Sequence, residues 1–88
     1  MKVILSGTLQ RYAGYTREHD VEGATVGAAL GELAREHPAL ASVLFDEDGS
    51  VRDSNLLFLN GSQLVRGDEG ASVSAWDELE IITAIAGG

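Results

Sequence analysis

The sequence predicts an α+β domain in which a mixed sheet of four to five strands packs on one main helix. Three observations carry this expectation. Segments rich in Val, Ile and Leu stand near both ends of the chain, a single apolar stripe at helical spacing runs from Val26 to His37, and an Asn60-Gly61 pair separates two further apolar segments. At 88 residues there is material for one small domain. Leu, Ile, Val and Phe together exceed a quarter of the chain, above the roughly 20% below which chains tend to stay disordered.

The elements follow in order. Lys2 to Thr8 reads as a strand, and Arg17 to Val21, before Glu22-Gly23, as a shorter one, the two forming a hairpin. Thr25 is placed to cap a helix whose apolar positions are Val26, Ala29, Leu30, Leu33, Ala34 and His37, ending at Pro38. Gly27 and Gly31 lie one turn apart in it and each costs about 1 kcal/mol relative to alanine, so close helix–sheet approach is the expected reason for them. Ala39 to Phe45 is a second short apolar segment, followed by the turn formers Asp46-Glu47-Asp48-Gly49-Ser50. Leu56-Leu57-Phe58-Leu59 reads as a buried strand turning at Asn60-Gly61 into Gln63-Leu64-Val65, and Gly67 to Ser74 as a loop. Leu79 to Ala86 is apolar at most positions, as a central strand buried on both faces should be. A hairpin followed by a helical crossover returns the chain parallel to the sheet, so the first and last strands are expected side by side in its centre. That is a β-grasp, or ubiquitin-like, arrangement, with residues 1–84 as the domain and 85–88 as a flexible C-terminal diglycine tail.

Composition excludes several kinds of chemistry. Without cysteine there is no disulfide, thiolate metal site or thiol nucleophile. The opening Met1-Lys2-Val3-Ile4-Leu5-Ser6-Gly7 reaches a glycine before an apolar leader develops, and no apolar run is long enough to span a bilayer, so a cytoplasmic protein without membrane contact is expected. Fourteen acidic against six basic residues give a net charge of −8, which repels phosphate backbones and argues against nucleic acid. His19 and His37 lack any supporting triad or metal-ligand motif; the expectation is that His37 suits a helix end and that His19 alternates outward beside two acids. Asp46-Glu47-Asp48-Gly49 departs from a calcium loop, with glycine fourth instead of sixth and Leu57 where a bidentate Glu belongs. Asn60-Gly61-Ser62 and Arg66-Gly67-Asp68 read as turn chemistry, and no nucleotide-binding motif is present. No catalytic residue and no metal ligand is assigned.

The chemically unusual feature is Gly87-Gly88, two residues without side chains directly after an apolar strand. A terminal carboxylate is ionised at neutral pH and is a poor electrophile until a partner activates it. Ile85, Ala86, Gly87 and Gly88 extended span about 13 to 14 Å, enough to thread a carboxylate into a neighbouring active site, and the missing β-carbons keep the thread thin.

These residues resemble the ubiquitin-like sulfur-carrier family (MoaD/ThiS-like), which includes the small subunit of molybdopterin synthase and the thiamine-pathway carrier. The resemblance covers the whole chain. It lies in the opening strand, the Thr25-Val26 helix start, the Glu36-His37-Pro38-Ala39-Leu40 helix exit, the Asp48-Gly49 turn, the Phe58-Leu59-Asn60-Gly61 hairpin, and Asp77-Glu78-Leu79-Glu80-Ile81 leading to Gly87-Gly88. Trp76 stands where family members often have glycine, and Thr83 and Ala84 where they often have proline.

The resemblance implies a carrier that is not itself an enzyme. Its Gly88 carboxylate would be adenylated by an ATP-dependent, ubiquitin-activating-like adenylyltransferase and converted to a thiocarboxylate. A sulfur-accepting synthase would then use that sulfur in biosynthesis of cysteine, molybdopterin or a specialised metabolite. The chain would bind no cofactor, ATP being used by the partner. The alternative is a protein modifier conjugated through Gly88, or a non-covalent ubiquitin-like docking module. For docking, Leu57, Leu59 and Ile82 are the expected apolar contacts beside the tail, alternating outward from the helix-covered face, and the acidic surplus predicts a basic rim on the partner.

Overall fold

A computed structural model describes residues 1–65 and 67–83. The first strand, β1 (Lys2–Leu5), is shorter than the sequence suggests. Gly7 takes a positive φ of 40°, which ends the extended run, and Gly7–Tyr12 coils into a 3₁₀-helix that buries Leu9. The chain then returns as β2 (Glu18–Asp20), antiparallel to β1 with Val3 opposite His19. The expected hairpin is present, but its connection is this 3₁₀ segment, which closes one end of the core with Leu9 and Ala13.

Thr25 caps α1 (Val26–Glu36) by accepting a hydrogen bond from the Ala28 N–H at 3.1 Å. Val26, Ala29, Leu30 and Leu33 are fully buried beneath it. His37 closes the helix with its N–H on the Leu33 carbonyl, and Pro38 follows as the first residue of α2 (Pro38–Leu44). Proline suits that position because its missing N–H would have no partner there. The short apolar segment after Pro38 is thus a helix, with Leu40 and Leu44 buried one turn apart.

Strands β3 (Asn55–Leu59) and β4 (Ser62–Gln63) form the second hairpin. Asn60 and Gly61 both have positive φ, 51° and 85°, the requirement of the tight two-residue turn that matches the twist of the strands it joins. Asp68–Gly70 is a short 3₁₀ turn inside the expected loop. The last strand, β5 (Glu78–Thr83), pairs parallel with β1 and antiparallel with β3. The sheet order is β2-β1-β5-β3-β4, which confirms the β-grasp expectation with the first and last strands central. Val3, Leu5, Leu79 and Ile81 face the helices with no exposed surface.

The helix glycines have different reasons from those expected. A β-carbon on Gly27 would stand 3.3 Å from the Glu69 carbonyl oxygen, so its close neighbour is the 3₁₀ turn and not the sheet. One on Gly31 would meet nothing within 4 Å. The tight position is Gly23, before the helix, where a β-carbon would lie 2.6 Å from the Ala29 backbone nitrogen. Gly31→Ala should therefore raise stability by about 0.5 to 1 kcal/mol, since only the helix-propensity penalty is removed. Gly23→Ala should lower it. Urea unfolding of both variants against the parent checks the opposite signs.

Candidate functional site

The site is built on β5, because that strand leads to the diglycine. Its residues alternate: Leu79 and Ile81 enter the core, while Glu78, Glu80 and Ile82 occupy the face that no helix covers. The register with the neighbours fixes what surrounds them. Glu80 lies between Ile4 on β1 and Phe58 on β3, Ile82 lies beside Leu56, and Glu78 lies beside Lys2. Ile4 also faces Glu18, and Lys2 faces Asp20, across β2. The open face is thus apolar toward the end of β5 that precedes the tail, and acidic toward the other end. Leu56, Phe58 and Ile82 are half-buried there.

This register corrects the expected docking contacts. Leu57 is opposite Ile81 and is buried on the helix side, and Leu59 is opposite Leu79 and packs against the core. Ile82 belongs to the other face, where its neighbours are Leu56 and Phe58. The error has a simple source. Leu56-Leu57-Phe58-Leu59 is apolar at every position, so the sequence shows no alternation, and a one-residue slip in parity exchanges the faces. The register to β5 was needed to choose between them.

Two polar clusters fix the ends of β5. At its end, Asn55 is a buried polar residue in an otherwise apolar core. Its Nδ2 donates to the Val43 carbonyl at 2.9 Å and to the Leu44 carbonyl at 3.4 Å, and its Oδ1 accepts from the Thr83 hydroxyl at 3.0 Å. The side chain satisfies carbonyls that the last turn of α2 leaves without helical partners and ties Thr83, the last described residue before the tail, to the helix layer. At its start, Asn60 donates from Nδ2 to Asp77 at 3.1 Å and accepts the Glu78 N–H at 3.0 Å, while the Ser74 N–H donates to Asp77 at 2.6 Å. The Ser74 N–H first, and Asn60 second, hold the Asp77 carboxyl below its ordinary value of 3.8.

Ile85, Ala86, Gly87 and Gly88 lie outside the described residues, as does the end of the expected last strand. His19 does not alternate outward: it shares the face of its partner Val3, and its ring meets His37 edge-on with centroids 5.1 Å apart. Its Nε2 lies 2.8 Å from the Thr16 carbonyl. Among the described residues no group of three or more His, Asp or Glu side chains is arranged to hold a metal ion, and no helix is long and apolar enough to cross a membrane.

The Asp77 cluster makes a pH-dependent prediction. A carboxyl whose folded pKa is depressed contributes stability above its unfolded pKa and loses it as the pH falls through the folded value. The stability gap between the parent and Asp77→Ala should hold from about pH 7 to about pH 5 and narrow on further acidification. Urea midpoints of both proteins from about pH 7 down to about pH 2 check it, and a gap that fails to narrow below about pH 4 would refute it.

Comparison with known proteins agrees with this architecture. The ThiS family model matches residues 3–88. Small archaeal modifier protein 1 of Haloferax volcanii is 40% identical over 70 residues, covering 78% of this chain and 77% of that protein. A crystal structure of the Haloferax protein superposes with a TM-score of 0.84 at 37% identity, covering 100% of this chain and 98% of the other. The solution structure of small archaeal modifier protein 1 from Methanosarcina acetivorans is similar at 29% identity with a TM-score of 0.83, covering 99% and 94% of the two chains. The crystal structure of the Amycolatopsis orientalis BexX/CysO complex contains a chain of the same fold, with a TM-score of 0.86 at 24% identity over 99% and 98% of the two chains. The strand order, the capped crossover helix and a match that runs through the terminal glycines place this chain in the ThiS family of small ubiquitin-like proteins.

Proposed function

We propose that this chain is an acyl carrier whose Gly88 carboxylate, native or freed by processing, is activated by a partner and then carries sulfur. The observation that supports it is the ThiS family match extending to residue 88. In the first step a carboxylate oxygen attacks the α-phosphate of ATP held by an adenylating partner, forming the acyl adenylate and releasing pyrophosphate. In the second, hydrosulfide attacks the acyl carbon, AMP departs, and a thiocarboxylate and one proton remain. The thiocarboxylate sulfur would then attack an electrophilic carbon of the acceptor and displace its leaving group, and water attack on the acyl carbon of the resulting thioester would release the acceptor as a thiol, with one proton, and regenerate the carboxylate.

The chain's contribution is presentation. Residues 84–88 reach at most about 18 Å beyond Thr83, so the globular body stays outside while the carboxylate enters the partner. Two residues without β-carbons at the end let a narrow channel close around the backbone. The open face beside Ile82 supplies apolar contact at the mouth of that channel, and the net charge of −8 steers it toward a basic rim.

A second reading is favoured by a specific observation: a relative at 40% identity is named a modifier protein. In that reading the same activated Gly88 carbonyl is attacked by a lysine amine of a target, giving an isopeptide bond. Activation is shared, and the nucleophile separates the two outcomes. Incubation with ATP, sulfide and the adenylating enzyme of the same genome should replace one oxygen by sulfur in the intact mass, an exchange lost when Gly87-Gly88 is deleted. An unchanged mass with a bound, ATP-consuming partner would overturn the sulfur reading. Heavier protein conjugates that survive denaturation and vanish with the same deletion would establish the modifier reading.

A further inference from the structure

Glu80 is the anomaly of the open face. It projects from the middle strand between Ile4 and Phe58, in the row that also contains Glu18 and Gln63 at the sheet margins. The side chain is half-buried, yet no cation pairs with it among the described residues. Among the described residues, Lys2 and Arg17 at the neighbouring sheet margin are both engaged by Glu18, at 3.3 Å and 3.9 Å. A half-buried carboxylate among apolar side chains gives up hydration without receiving a counter-charge, so its presence disfavours an uncharged apolar partner on this face.

Beside it lies a basin of about 440 Å³ lined by Phe58, Asn60, Gly61, Glu78 and Glu80. Asn60 is held by its bonds to Asp77 and Glu78, so this wall of the basin is fixed in advance. Gly61 leaves its rim without a side chain. The lining thus combines one aromatic residue with two carboxylates, groups of the kind that attract a cationic side chain.

We propose that Glu80 is the specificity-determining residue of the open face and receives a single arginine from the protein partner, its guanidinium paired with Glu80 and lying against the Phe58 ring. This inference rests on the reading of that face as the docking surface. Arginine is preferred to lysine for two physical reasons. Its planar fork can meet both carboxylate oxygens while stacking on an aromatic ring, and it is more weakly hydrated than an ammonium, so entry into a half-buried site costs less. Glu78 adds attraction without requiring a second contact. Apolar contact at Leu56 and Ile82 and one charged contact at Glu80 then fix the orientation of the carrier, so that the tail leaves β5 toward the partner's active site.

The test uses the full chain and the adenylating enzyme of the same genome, with the dissociation constant measured calorimetrically and activation by ATP–pyrophosphate exchange. Glu80→Gln, which keeps size and polarity, should weaken binding by about tenfold or more and reduce the dependence of binding on salt. Glu18→Gln, at the sheet margin, should change binding by less than about threefold. Arginine-specific modification of the enzyme with phenylglyoxal, followed by peptide mass mapping, should show one arginine protected by the parent chain and exposed in the presence of Glu80→Gln. Equal affinity of the parent and Glu80→Gln with exchange intact, or no protected arginine, overturns the inference and leaves the carrier reading standing. Absence of both binding and exchange for the parent chain overturns the carrier reading and the inference with it.

Discussion

The parallel pairing of β1 with β5 is the constraint on which the remaining structure depends. These strands are the two ends of the described chain, and their register runs from Lys2 opposite Glu78 to Leu5 opposite Ile81. Parallel neighbours cannot be joined by a tight turn, so the chain between them must cross over one face of the sheet. The helices α1 and α2 are that crossover, while β2 adds to the sheet beside β1 and the β3–β4 hairpin adds to it beside β5. Central placement buries Val3, Leu5, Leu79 and Ile81 completely, and it puts the strand that carries the tail under restraint from both sides. A tail attached to an edge strand would lack one of those restraints.

The two faces of β5 differ: one belongs to the core and the other is the proposed docking surface. Leu79 and Ile81 anchor the sheet to α1, and their removal would be felt as cavities. Glu78, Glu80 and Ile82 lie on the opposite face of the strand, the surface proposed for docking. Polar side chains hold the frame where the backbone changes direction: Asp77 and Asn60 before the strand, Asn55 after it. Asn55 is buried, and the described bonds of its side chain reach the last turn of α2 or Thr83, so one side chain joins the helix layer to the last residue of β5. This arrangement suits the proposed carrier role, in which the chemistry would take place on the last atoms and inside another molecule, because such a carrier would have only to hold the base of its tail in place.

The sequence by itself determined the elements whose causes are local. Thr25 could be read as a cap because its hydroxyl needs only a neighbouring N–H, Pro38 as a stop because it lacks a donor, and Asn60-Gly61 as a turn because both residues tolerate positive φ. The helix stripe and the central terminal strands followed from periodicity and the handedness of crossovers, and the family from the motifs joined to the terminal diglycine. The tertiary structure decided what depends on register and contact. Leu56 and Phe58, and not Leu57 and Leu59, face outward because Leu57 pairs with Ile81, a relation across 24 positions of chain that a wholly apolar strand does not encode in its own pattern. The segment after Gly7 coiled because of one positive φ, and Gly27 proved to be small for Glu69 and not for the sheet. The place of Glu80 between Ile4 and Phe58 required three strands to be aligned at once, since cross-strand neighbours are set by hydrogen-bond register and not by proximity in sequence.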